Sequence, residues 1–214
     1  MSPRRQDHEH GIRISRPHPP GQLNAIVKKL GGYDRALRFL RGEPSVCEPA
    51  GSWREEDGVI YFSVTSGGMT GEGWIKLFES KDVCVGRYAR QALCSPDFKP
   101  TSGVTTEIAV LRGVLFEDGN RVAKKIYAAG NKRKFSKPNA ELACLIREKF
   151  MDKDIKAMGL WRIVAMHEPI NDFDGDPSLL SASCFKELSA SYGIIVGTWD
   201  CGCGFAFAVS QKSS

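Results

Sequence analysis

Between Arg121 and Lys137 the chain places seven basic residues, Arg121, Lys124, Lys125, Lys132, Arg133, Lys134 and Lys137, and no acidic one. The formal net charge of the whole protein is +5, so the remainder of the chain is on balance negative and the positive field is local. Cations gathered in this way suit a polyanion, nucleic acid being the leading example, whose phosphates they would neutralise in binding that weakens with salt. Only Tyr127 and Phe135 interleave as rings, which points to phosphate contact rather than base readout. The same spacing also fits a solvated helix face.

A second group of reactive side chains follows later. His167 and Glu168 close an apolar run and precede Asp172, Asp174 and Asp176. An imidazole beside carboxylates is the raw material of acid–base hydrolysis, with Arg112 or Glu107 expected within reach. A histidine at a strand end is equally a group satisfied by backbone. Asp172-Phe-Asp-Gly-Asp176 has the alternating carboxylates of a calcium loop, but the distal Glu is missing, since residue 183 is Ser. Cys201-Gly-Cys203 does not open with the C-x2-C of common zinc modules. Ser66-Gly-Gly-Met-Thr-Gly-Glu-Gly73 lacks the Lys-Ser/Thr of a P-loop and the third glycine of a dinucleotide fingerprint. No metal and no cofactor is expected.

These residues need elements to hold them. Val59–Thr65, Val104–Arg112, Leu160–His167 and Phe205–Val209 read as strands from their β-branched and aromatic content. Thr70 stands where an N-cap belongs, ahead of Trp74, Leu77 and Phe78 at helical spacing. Gly86–Leu93, a helix from Asn120 to Ala129, one from Pro138 to Phe150, and a short one from Asp152 follow. Gly130-Asn131 reads as a C-cap, which puts Lys132-Arg-Lys134 in a loop. Between 178 and 199 the pattern offers only a short helix at Phe185–Ala190. The uneven interleaving predicts an α+β fold: a small, mostly antiparallel sheet of about four strands, with helices largely on one face.

Ahead of that domain, placed at 53–214, residues 1–21 read as a disordered leader and 43–52 as a linker. Residues 22–42 read as a helical hairpin built on Ile26, Leu30, Leu37 and Leu40. Lys28, Lys29 and Arg38 could add to the basic surface from there. A helix-turn-helix would need a further helix, and Gly42, Pro44 and Pro49 forbid one.

Three stretches, Ser95–Leu111, Pro138–Glu148 and Met158–Ile170, resemble a family of small bacterial proteins with no assigned activity. That resemblance implies a bacterial cytoplasmic protein and carries over no catalytic residue. Composition agrees: 42% of residues are hydrophobic, no apolar run reaches the ~18 residues that cross a bilayer, and seven cysteines are an odd set for an extracellular disulfide framework. Taken together these features predict a non-enzymatic module that binds an acidic partner. A hydrolase centred on His167 and Glu168 is the alternative. A protein–protein adaptor using Tyr192, Ile194, Ile195, Val196 and Trp199 is the second.

Overall fold

In the computed structural model, which describes residues 53–191 and 197–210, the described part begins with a hairpin. Strands β1 (Arg54–Glu56) and β2 (Val59–Gly67) are antiparallel. Asp57 and Gly58 between them both have positive φ, 50° and 74°, as a tight hairpin turn of this hand requires. Helix α1 (Gly71–Ser80) starts where Thr70 accepts the Gly73 N–H at 3.2 Å. Then come β3 (Cys84–Val85), α2 (Arg87–Leu93), β4 (Ser102–Arg112), α3 (Ala123–Lys132), β5 (Phe135–Ser136), α4 (Glu141–Lys149) and α5 (Asp152–Ala157). Strands β6 (Arg162–Ala165), β7 (Ile170–Asn171), β8 (Pro177–Ser183), β9 (Glu187–Ser191) and β10 (Cys203–Val209) complete it.

The expected small sheet of about four strands is overturned. Among the described residues ten strands form one mixed sheet in the order β1-β2-β4-β10-β6-β8-β9-β3, with β5 beside β10 and β7 beside β8. The pairs β6–β10 and β3–β9 are parallel. Four of the five described helices do lie on one face, as expected, and one lies on the other. Trp74, Phe78, Leu93, Ile146 and Ile155 of α1, α2, α4 and α5 share a core with Ile60, Ile108 and Leu180 on one sheet face. Ala123 and Ile126 of α3 share another with Leu111, Phe205 and Phe207 on the opposite face. The missed strands are two- or three-residue ladders, or the Ser/Ala-rich hairpin β8–β9, and neither carries the apolar signal of a strand. The short helix expected at Phe185–Ala190 is instead the turn and strand β9.

Helix α3 also runs further than its glycine suggests, to Lys132. Gly130 is buried, and a Cβ there would stand 2.6 Å from the Phe207 ring. The glycine therefore serves close helix-to-sheet approach, and the helix passes through it. The leader at 1–21, the hairpin at 22–42, the linker at 43–52, and Tyr192, Ile194, Ile195 and Val196 lie outside the described residues. Among the described residues, no helix is long and apolar enough to cross a membrane.

Candidate functional site

Helix α3 sets out the basic segment along its length. Its inner side, Ala123, Ile126 and Gly130, is buried, which leaves Lys124, Lys125 and Lys132 exposed. Arg133 and Lys134 follow in the turn that leads to β5. Lys134 has φ 61°, a left-handed conformation that costs a non-glycine residue about 1 kcal/mol. Its N–H donates to the Asn131 carbonyl at 2.9 Å, and its carbonyl accepts from Ser210 Oγ at 2.9 Å. The turn is thus pinned to the end of the sheet while its side chain projects outward.

The seven cations divide into two kinds. Arg121 is committed to the fold: Nε donates to the Trp199 carbonyl at 2.8 Å, Nη1 to the Phe116 carbonyl at 2.9 Å, and Nη2 pairs with Asp118. Lys137 lies 2.5 Å from Glu168 Oε2 and 4.8 Å from the Tyr127 ring centroid. Lys125 donates to Asn120 Oδ1. Arg133 Nη1 donates to the Ala129 carbonyl at 3.4 Å. Among the described residues, Lys124, Lys132, Arg133 and Lys134 enter no ion pair.

His167 occupies a different setting. Its Nε2 accepts the Leu180 N–H at 2.9 Å, so that nitrogen carries no proton, and Nδ1 faces the Glu168 carbonyl at 2.6 Å as the N–H donor. Burial, only partly opposed by the Glu168 carbonyl and carboxylate, pushes its pKa down to about 4. Tyr127 Oη donates to the His167 carbonyl at 2.7 Å, and burial raises that phenol well above its usual range. A general base needs a free lone pair, and this ring has none. Arg112 and Glu107 are engaged elsewhere, with Glu55 at 3.0 Å and Arg54 at 3.1 Å.

A cleft of about 420 Å³ does open at that strand end, lined by Asp97, Lys99, Pro138, Asn139, Ala140 and His167 to Ile170. A smaller one of about 200 Å³ shares Pro138 and Asn139 and includes Lys137. The Lys137–Glu168 pair therefore joins the end of the basic segment to the neighbourhood of His167, two places that sequence spacing treats as unrelated.

The remaining motifs resolve into packing and turns. A Cβ on Gly71 would fall 1.8 Å from the Leu93 carbonyl oxygen, so this glycine lets α1 and α2 touch. Asp172 Oδ1 accepts the N–H groups of Asp174 and Asp176, both at 2.9 Å, which shapes the turn from within. Cys201 is exposed, whereas Cys203 is buried and its thiol is raised to about 11 by that burial. Among the described residues, no group of three or more His, Cys, Asp or Glu side chains is placed to hold a metal. Sequence reasoning passed over Trp161, Arg162 and Phe185, although each ring stands next to a cation in the chain. Comparison of the chain with known protein families, with curated proteins and with solved structures returns no match.

Proposed function

We propose that this protein is a binding module for a polyanion, nucleic acid first among them, which it engages through Lys124, Lys132, Arg133 and Lys134. The observation that carries the reading is the contrast within the basic segment: Arg121 and Lys137 are held by acidic groups, whereas these four exposed cations have no ion-pair partner among the described residues. Exposed cations without an ion-pair partner keep their field for an incoming phosphate. Near the C-terminus of α3 the helix dipole offsets part of that field, by about 0.3–1 kcal/mol per charge. Several phosphate contacts made together exceed this. The hydrolase alternative draws no support from a histidine whose two ring nitrogens are both engaged by backbone.

Fluorescence anisotropy with labelled DNA and RNA, titrated with salt, tests the reading. Affinity that falls steeply as salt rises is expected. Absence of binding at about 50 mM salt, where such contacts are strong, would leave the four cations as a solvated surface.

A further inference from the structure

We propose that Trp161 and Phe185, with Arg162 and Lys156 beside them, form a stacking site for unpaired bases, so that the ligand of the basic surface is single-stranded rather than duplex nucleic acid. This rests on the reading above. The four groups stand in series. The Arg162 guanidinium lies 4.6 Å from the centroid of the Trp161 ring, the Trp161 and Phe185 rings are 6.5 Å apart at 45°, and Lys156 Nζ lies 6.0 Å from Phe185. An exposed Phe on its own is ordinary surface. Two touching rings with a cation at each end offer a base face and its phosphate what each requires.

The rings are held in place from below. Trp161 Nε1 donates to Asp200 Oδ1 at 3.1 Å, and the Trp161 carbonyl accepts the Cys184 N–H at 2.8 Å. A Cβ at Gly202 would come within 2.5 Å of the indole, so glycine leaves room for it. Phe185, in contrast, is 65% exposed at the turn between β8 and β9. The ladder also fixes where this site lies relative to the basic turn. Cys203 of β10 pairs with Arg162, and Val209 at its other end pairs with Phe135, the residue after Lys134. Six residues of strand separate them, roughly 20 Å; α3 with Lys124 packs on the face opposite α5 and Lys156, and Trp161 packs against the cores of both faces. A strand several nucleotides long that passes over Trp161 from one face to the other can lay phosphates along α3 and a base on Phe185. Bases inside a duplex keep their faces stacked and cannot use the rings.

The test compares a labelled oligothymidylate with a duplex of equal length by anisotropy, for the wild-type chain, Phe185→Ala, Phe185→Leu, and a Lys132, Arg133 and Lys134 triple alanine variant. The wild type is expected to favour the single strand. Both Phe185 variants should lose about tenfold on it, within the range for removing one base–aromatic stack, with the duplex affinity and the salt slope unchanged. Single-strand affinity unaltered in Phe185→Ala, or retained in Phe185→Leu, overturns the stacking site. So does equal or tighter binding of the duplex by the wild type. If those results come with binding lost in the triple variant, the basic surface stands without the rings. If the wild type binds neither nucleic acid, both readings fall.

Discussion

Gly130 of α3 faces the ring of Phe207 on β10 so closely that a Cβ would lie 2.6 Å from it. This contact carries the helix through a glycine to Lys132 and fixes where Arg133 and Lys134 emerge. Phe207 is 1% exposed and stands against the Tyr127 and Phe135 rings. Gly130→Ala gains up to about 1 kcal/mol of helix propensity but overpacks the core, which costs about 1–3 kcal/mol. Urea denaturation should show a net loss of about 1–2 kcal/mol. A variant more stable than the wild type would contradict the contact.

Lys134 keeps a left-handed backbone that glycine would adopt freely. Lys134→Gly is expected to stabilise the fold by up to about 1 kcal/mol while weakening polyanion binding. Opposite signs in the melting temperature and the affinity identify a residue retained for its charge. Movement of both in the same direction argues against that role.

Arg147 illustrates the structural kind of cation. It is 7% exposed, and its Nη1 meets Asp152 Oδ1 at 2.8 Å and the Ser183 carbonyl, while Nη2 meets the Phe150 carbonyl at 2.5 Å. It ties the end of α4 to α5 and to the β8–β9 turn, where Asp152 also accepts the Lys186 N–H. Arg147→Met leaves the Ser183 and Phe150 carbonyls without this donor, while Asp152, 29% exposed, keeps the Lys186 N–H, so a loss of about 2–3 kcal/mol is expected in chemical denaturation. Arg147→Lys should recover only a fraction, because an ammonium cannot reproduce the planar fork.

His167 gives the fold a pH dependence. Its pKa falls from an ordinary 6.5 to about 4 on folding. Above 6.5 the ring is neutral in both states and its contribution is complete. Between 6.5 and 4 the unfolded chain binds the proton and the folded chain does not, so stability drops as pH falls. The window corresponds to about 3 kcal/mol. The stability gap between wild type and His167→Ala should therefore be widest at pH 7 and shrink by about that amount near pH 4. A gap independent of pH would mean that the imidazole is not held neutral by the Leu180 N–H and the Glu168 carbonyl.

These residues also show what the chain revealed of itself. Strands β2, β4, β6 and β10 announce themselves through Val, Ile and Phe, and Thr70 marks the start of α1, because burial and capping leave local traces. Strands β8 and β9 do not: Ser181, Ser183, Ser189 and Ser191 line one face where apolar residues would normally alternate. Their identity as strands comes from the ladders on either side. The charge of the basic segment was legible, but its division was not. Arg121 finds Trp199, 78 residues away, and Lys137 finds Glu168, 31 residues away; such partners are set only by tertiary structure. The closed environment of His167 depends in the same way on Leu180, a residue of a strand that the pattern did not disclose.

The slope of log affinity against log salt, measured for the wild type and for a variant with Lys124, Lys132, Arg133 and Lys134 all replaced by alanine, tests the central claim most directly. Four phosphate contacts give a slope near about −3 on a single strand. The account predicts a slope shallower by about that amount in the variant than in the wild type, with unchanged thermal stability. Equal slopes for the two proteins would contradict it.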